Sequence, residues 1–76
     1  MKTYRNLSGT SNIARYDITD DAIHVVFQSG TYRHYLYDHD RPGKAMVDEM
    51  KRLAAAGRGL CTYISRTVRD NYAKRW

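Results

Sequence analysis

The sequence predicts a small α+β domain in which a three-stranded antiparallel β-meander is followed by two α-helices packed on one sheet face. Apolar and polar side chains alternate through residues 12–37, which is the period of β-strands. Residues 44–72 instead repeat apolar side chains every three or four positions, as amphipathic helices do. The chain has 76 residues, which is enough for one domain. We therefore expect a single β-β-β-α-α unit.

Three consecutive segments have the composition of strands. The first, residues 12–18, alternates Ala14, Tyr16 and Ile18 with polar side chains, and the second, residues 22–28, is rich in β-branched residues. The third strand is predicted over residues 31–37, directly after a two-residue hairpin turn. Period two places alternate side chains on opposite faces. We expect the following residues to face the helices: Ile23, Val25, Phe27, Tyr32 and Leu36.

Two helices are predicted after the sheet. The first covers residues 44–56, with Asp40 as its N-terminal cap, an Asp48–Arg52 ion pair on its surface and Gly57 as its left-handed end. Its apolar stripe consists of Met46, Met50, Leu53 and Ala54. The second helix covers residues 60–72, and its apolar stripe consists of Leu60, Ile64 and Val68. Both stripes are expected to pack on the sheet.

Composition excludes several classes of protein. A hydrophobic fraction of 42% and a charged fraction of 28% are typical of a folded soluble domain. No apolar run approaches the roughly 20 residues that span a bilayer, so we expect no membrane contact. Residues 1–10 have no apolar stretch, so we expect no signal peptide there but a flexible arm before a domain of residues 11–76. A single cysteine, Cys61, indicates a reducing cytoplasm.

The sequence has few residues that could form a catalytic site or bind a structural metal ion. The three histidines, His24, His34 and His39, lack the spacing of zinc ligands, so we expect neither a metal nor a cofactor. Cys61 with one of these histidines is the only candidate for a nucleophile and its base. A cysteine beside an apolar residue on an amphipathic helix is more often a small buried side chain. We predict that the protein is not an enzyme.

The charge is concentrated in the second half of the chain. Residues 1–40 carry four basic and five acidic groups, whereas residues 41–76 carry nine basic and three acidic groups. The second half therefore has a net charge of +6 within a chain of +5. A basic surface of this kind suits an anionic partner such as a nucleic acid or a nucleotide, although it also serves solubility alone.

A phosphate site is predicted at the start of the second helix. The loop Gly57–Arg58–Gly59 precedes this helix, so free backbone N–H groups and the positive end of the helix dipole lie together. Helical spacing places several polar residues opposite the apolar stripe. The predicted phosphate-binding residues are Arg58, Gly59, Thr62, Arg66 and Arg69. The alternative is that the glycines only separate two helices and that the arginines are solvated.

Aromatic side chains supply a second predicted contact surface. Seven tyrosines are more than so small a core buries easily, because each phenol hydroxyl needs a hydrogen-bond partner. Nucleobases stack on tyrosine, histidine and arginine planes. The predicted stacking residues on the third strand are Arg33, His34, Tyr35 and Tyr37. The alternative is that some of these rings pack beneath the helices.

An ordered set of fragments resembles one family. These fragments are Ser11-Asn12-Ile13-Ala14, Tyr16-Asp17, Val25-x-Phe27-x-x-Gly30, Tyr32, Tyr35-Leu36-Tyr37, Glu49-Met50-Lys51-Arg52-Leu53-Ala54, Gly57-x-Gly59-Leu60, Tyr63-Ile64, Val68 and Tyr72. Residues 11–72 are thus similar to the KTSC domain, which occurs at the C-terminus of some lysyl-tRNA synthetases and as small stand-alone bacterial and phage proteins. The resemblance implies RNA as the first partner to consider and no established catalytic residues.

Three functions follow from these patterns. The preferred one is a non-catalytic binding module for a phosphate-bearing ligand, with RNA as the expected partner. The second is a small phage-type protein that sequesters a nucleotide signalling molecule, with a homo-oligomer as one way to build its pocket. The third is a protein-interaction module, since a three-stranded sheet has open edges that invite strand pairing.

Overall fold

The computed structural model describes residues 1–7, 9 and 11–76, and these form a five-stranded antiparallel sheet with helices on one face. The strands, in the order β1 to β5 both along the chain and across the sheet, are Lys2–Thr3, Ile13–Ile18, Ala22–Phe27, His34–Asp38 and Lys74–Arg75. The helices are α1, Lys44–Ala56, and α2, Leu60–Tyr63, and a π-helical segment, Ile64–Val68, continues α2. The predicted α+β class with an antiparallel sheet is confirmed.

The predicted meander of three strands has two further members. Strand β1 pairs with β2, with Lys2 opposite Tyr16, and β5 pairs with β4, with Arg75 opposite Tyr35. Two-residue strands are too short to show a periodic pattern, so the sequence does not reveal them. The edges of the sheet therefore lie at the two-residue strands β1 and β5, which pair with part of β2 and part of β4.

The N-terminal segment, which is predicted to be a flexible arm over residues 1–10, makes contacts with the rest of the chain. Tyr4 is only 3% exposed, its backbone N–H donates to Ala14, and its hydroxyl accepts a hydrogen bond from the backbone N–H of Leu60. The backbone N–H of Leu7 donates to the carbonyl of Gly57. The segment is therefore part of the fold because its one large aromatic ring is buried in the core. Ser8 and Thr10, which belong to the predicted arm, lie outside the described residues.

The third predicted strand has the opposite facing. In the register of β3 and β4, Ile23 lies opposite Tyr37 and Val25 lies opposite Tyr35, so all four side chains share the face that packs on the helices. Tyr32 and Leu36 were assigned to the core. Tyr32 is instead 42% exposed, and Leu36 is half-buried on the other face of the sheet. Strand β4 begins at His34, so residues 28–33 form a longer connection than the predicted two-residue turn.

Helix α1 has the predicted bounds and the predicted buried face. Met50 and Ala54 are buried, and Val47, which the predicted stripe omitted, is buried with them. The helix starts after Gly43 without a side-chain cap, so the prediction of an Asp40 cap is wrong. Its left-handed end at Gly57 is confirmed by a φ of 78°. The surface ion pairs are Lys44–Asp48 and Glu49–Arg52 rather than the predicted Asp48–Arg52.

The second predicted helix is shorter and less regular than residues 60–72. After the single turn of α2, the backbone widens into the π-helical segment, and Arg69 N–H donates to the carbonyl of Ile64 five residues earlier. Its predicted apolar stripe is confirmed, because Leu60, Ile64 and Val68 are all buried. No helix in the described part of the chain has the length and hydropathy needed to span a lipid bilayer.

Candidate functional site

A cavity of about 540 Å³ lies where the β3–β4 connection, strands β4 and β5 and the end of the π-helical segment meet. Its aromatic wall consists of Phe27, Tyr32, Tyr35 and Tyr37. Its polar groups come from Asn12, Ser29, Thr31, Ser65, Arg69, Asp70 and Arg75, and Gly30 and Ile64 complete the lining. The volume is within the range of small-molecule sites, which run from about 300 to 1,000 Å³.

The π-helical segment brings Arg69 to the cavity in an unusual backbone conformation. Arg69 has φ 52° and ψ −124°, and the backbone N–H of Asn71 donates to the carbonyl of Val68. These values place Arg69 at the first central position of a type II′ turn, where glycine is the favoured residue. A non-glycine residue held there stores strain, and such strain is concentrated at functional sites in proteins. The turn therefore places Arg69 at the cavity at the cost of backbone strain.

The aromatic wall is held in place by edge-to-face contacts. The Tyr35 ring meets Phe27 at a centroid distance of 5.2 Å and Tyr72 at 5.3 Å, with interplanar angles of 84° and 83°. It lies nearly parallel to the Tyr37 ring at 6.3 Å. Edge-to-face aromatic pairs contribute about 0.5–1.5 kcal/mol each beyond burial. These contacts fix the orientation of the Tyr35 ring in the wall.

Strand β5 supplies a second cation. The guanidinium carbon of Arg75 lies 4.2 Å from the centroid of the Tyr32 ring and 5.1 Å from that of Tyr72. The neighbouring Tyr35 phenol raises the pKa of Arg75, and an arginine side chain is in any case a cation at neutral pH. Arginine stacked on an aromatic ring keeps N–H donors free at its edge. Arg75 can therefore hold an anion while Tyr32 and Tyr72 fix its plane.

Tyr37 forms the floor of the cavity. Its side chain is 1% exposed, and its hydroxyl has no hydrogen-bond partner among the described residues. Burial, with a further contribution from Tyr35, raises the pKa of this phenol well above its ordinary value, so the hydroxyl stays protonated. Because Tyr37 lines the cavity, its protonated hydroxyl is available to a ligand as a hydrogen-bond donor or acceptor.

Asp70 is the single acidic residue that lines the cavity. It follows Arg69 in the turn, and it forms no ion pair within 4.0 Å in the described part of the chain. The hydroxyls of Ser29, Thr31 and Ser65 and the amide of Asn12 add neutral donors and acceptors. With two guanidinium groups and one carboxylate, the lining has a net positive charge.

Of the predicted phosphate-binding residues, only Arg69 lines the cavity. The N-terminal segment covers Gly57, where a Cβ atom would lie 2.8 Å from Cβ of Arg5, whereas one on Gly59 would lie 3.4 Å from Leu53 of helix α1. Both glycines therefore serve close packing and positive φ angles. Because α2 has only four residues, its dipole is small. The remaining residues of this prediction, Arg58, Thr62 and Arg66, are exposed elsewhere on the surface.

The predicted stacking residues are divided between two surfaces. Tyr35 and Tyr37 line the cavity, whereas His34 lies on the opposite sheet face and Arg33 is exposed just before β4. Tyr32 and Arg75 are among the cavity residues that were not predicted as site residues. Tyr32 was assigned to the core, and Arg75 belongs to a strand too short for a periodic signal.

The sheet face opposite the helices carries a second cluster of rings. His24, His34 and Trp76 lie 5.1–5.2 Å apart between ring centroids, and His34 is stacked on Trp76 with an interplanar angle of 7°. Nε2 of His24 is 3.0 Å from Nδ1 of His34. Burial, and then the neighbouring His34, lower the pKa of His24. Among the described residues, no three His, Cys, Asp or Glu side chains lie close enough together to hold a metal ion.

Comparison of this chain with protein-family models, with curated proteins and with solved structures finds no match.

Proposed function

We propose that this protein is a non-catalytic binding domain for a nucleotide, held in the cavity between the aromatic wall and the Arg69 turn. The observation that carries the proposal is one cavity that combines aromatic rings with two arginines and an unpartnered phenol hydroxyl. A nucleotide has the complementary parts: a planar base, a hydroxyl-bearing sugar and an anionic phosphate.

The phosphate is assigned to Arg69 and Arg75. Arginine forks match the oxygens of a phosphate in pairs, which lysine does not. The base is assigned to the exposed ring of Tyr32 and the half-buried ring of Tyr35, because stacking on such rings contributes about 1–3 kcal/mol per base.

RNA remains a second candidate ligand because basic residues continue outside the cavity. Arg58 and Arg66 are exposed and do not line it. A chain of nucleotides that places one base in the cavity has further phosphates to neutralise, and such basic side chains would serve them. The two ligands therefore differ in whether Arg66 contributes to binding.

The resemblance to the KTSC domain, the cytoplasmic location and the lack of catalysis belong to the same proposal. The ordered fragments between residues 11 and 72 support the family, and the single cysteine supports a reducing compartment. Cys61 is half-buried against the core, as a small apolar side chain would be. We expect purified protein not to hydrolyse nucleotides, and turnover that disappears in Cys61→Ala would contradict the binding-only proposal.

The deciding experiment is a titration with adenosine monophosphate and guanosine monophosphate, followed by oligoribonucleotides of two, four and about eight units. A nucleotide ligand should bind at one per chain, with an affinity that does not rise with oligonucleotide length. Arg69→Ala and Arg75→Ala should each weaken this binding by about tenfold or more, as expected for a charge-assisted hydrogen bond. The matched control is Arg66→Ala, which should bind the mononucleotide normally.

The RNA alternative gives a different pattern. Affinity would rise with oligonucleotide length, log affinity would fall with log salt at a slope near −2 for about three phosphates, and Arg66→Ala would reduce that slope. If neither mononucleotide nor oligonucleotide binds at low salt, both candidates are wrong.

A further inference from the structure

The His24–His34 pair occupies the sheet face that the helices leave uncovered, away from the nucleotide cavity. In the register of β3 and β4, His24 lies opposite Leu36 and His34 opposite Val26, so the two histidines are diagonal neighbours on one face. Their nearest nitrogen atoms, Nε2 of His24 and Nδ1 of His34, are 3.0 Å apart. In the absence of a ligand this contact is a hydrogen bond in which one imidazole donates and the other accepts.

The same separation fits two ligands on one metal ion. With metal–nitrogen distances of about 2.05 Å, nitrogens 3.0 Å apart subtend an angle of about 94° at the metal. Square-planar and tetragonal sites require about 90°, whereas a tetrahedral site requires about 109° and a nitrogen separation near 3.35 Å. The separation in the hydrogen-bonded pair is thus close to the one that a tetragonal site needs, and of the divalent first-row metals Cu²⁺ binds such nitrogen ligands most tightly.

We propose that His24 and His34 bind one Cu²⁺ ion through Nε2 and Nδ1, respectively. The ring that donates the hydrogen bond in the free protein then carries its proton on its other nitrogen, so both facing nitrogens offer lone pairs. Because the described residues contain no third ligand in reach, water occupies the remaining positions. Asp17 lies directly opposite His24 across the sheet and adds a negative charge beside the cation.

Trp76 is a built-in reporter for this site. It is the only tryptophan of the chain, and its indole is stacked on His34 at a centroid distance of 5.2 Å. A paramagnetic Cu²⁺ ion bound to that imidazole quenches the indole fluorescence at close range. The signal is specific because no other tryptophan contributes to it.

The experiment is a titration of the whole protein with Cu²⁺ and separately with Zn²⁺, monitored by Trp76 fluorescence and by electron paramagnetic resonance. We expect saturable quenching at one Cu²⁺ per chain and a tetragonal spectrum with hyperfine coupling to two nitrogens. Zn²⁺ should compete at least about tenfold less well. His24→Gln and His34→Gln should each weaken Cu²⁺ binding by about tenfold or more, whereas the control His39→Gln, which changes a histidine outside the sheet, should bind like the native protein.

Several outcomes would overturn the proposal. If His24→Gln and His34→Gln are quenched at the same Cu²⁺ concentrations as the native protein, the ion binds elsewhere. Loss of quenching in His39→Gln leads to the same conclusion. Equal affinity for Zn²⁺ rejects the tetragonal geometry. The resonance spectrum of the native protein is independent of whether the variants fold, and a spectrum with fewer than two coupled nitrogens is by itself sufficient to reject the site.

Discussion

Arg69 and Tyr37 both line the cavity, and each has a replacement that tests its role there. Arg69 occupies a backbone conformation that suits glycine, and the Tyr37 side chain forms no hydrogen bond within the described residues. If such a residue serves only the fold, its replacement should lower the stability of the protein. If it serves a ligand, its replacement should weaken ligand binding instead.

Arg69→Gly should raise the free energy of unfolding by about 1 kcal/mol, because the relief of the positive φ exceeds the added entropy of the unfolded chain. The same change should abolish most nucleotide binding. The measurements are chemical denaturation and ligand titration. Arg66→Gly is the matched control, since it lies within the π-helical segment at ordinary helical geometry and should lower stability by about 1 kcal/mol. If Arg69→Gly is the more destabilising change, the turn is not strained.

Tyr37→Phe should leave the free energy of unfolding within about 0.5 kcal/mol of the native value, because the hydroxyl has no protein partner to lose. It should weaken nucleotide binding by roughly tenfold if the hydroxyl bonds to the ligand. The control is Tyr63→Phe, a half-buried tyrosine that does not line the cavity. Equal affinities for both variants would remove Tyr37 from the site.

Among the elements, α2 and the π-helical segment contribute both to the core and to the cavity. Leu60, Ile64 and Val68 belong to the core, and Ile64, Ser65 and Arg69 line the cavity. The turn of the π-helical segment is wider than an α-helical turn. Ile64 and Val68 are nevertheless both buried, and the segment ends at Arg69. The position of the arginine is therefore set by the packing of this short element.

Ile64→Ala should lower the free energy of unfolding by about 2–4 kcal/mol through lost burial and a residual cavity. Arg66→Ala, two residues away on the exposed side, should change it by less than about 0.5 kcal/mol. Thermal or denaturant unfolding of both variants measures the contrast. A loss below half a kilocalorie for Ile64→Ala would show that this side is not the buried one, and the assignment of Arg69 to the cavity would fail with it.

In the molecule as a whole, the two chain ends complete a sheet that the central strands begin. Strand β1 and the buried Tyr4 bind the N-terminal segment to β2 and to the start of α2, and β5 adds Arg75 to the cavity. So small a domain buries only roughly 60% of the surface of its unfolded chain, so each large side chain matters. Tyr4 is one of these side chains.

Tyr4→Ala should cost about 3–4 kcal/mol, as expected for truncation of a buried aromatic ring. A domain of this size has little stability in reserve, so a large fraction of the variant should be unfolded at room temperature. Circular dichroism and denaturant titration would measure this. The exposed Leu7 in the same segment is the control, since Leu7→Ala should have a small effect. Native stability in Tyr4→Ala would support the flexible arm expected from the sequence.

The spacing of apolar residues and the positions of glycine and turn residues were sufficient to predict the fold class, helix α1 and the buried stripe of Leu60, Ile64 and Val68. The helical period depends only on the local spacing of side chains. A glycine directly after such a pattern, here Gly57, commonly ends the helix. The strands β2 and β3 were predicted for the same reason, to within a residue at their ends. Arg69, Tyr35 and Tyr37 were predicted as candidate site residues from their chemical type alone.

The facing of β4, the edge strands and the two functional clusters were decided by tertiary structure. A period of two makes either face of β4 equally consistent with its sequence, and only the packing of α1 and the π-helical segment selects the Tyr35–Tyr37 face. Strands β1 and β5 exist because neighbouring strands offer free hydrogen-bonding groups, which leaves no periodic trace in two residues. His24 and His34 are ten positions apart and meet only across the sheet, so spacing rules for metal ligands along the chain do not detect them. Contacts between distant segments depend on which surfaces are buried together, and that is a property of the folded chain.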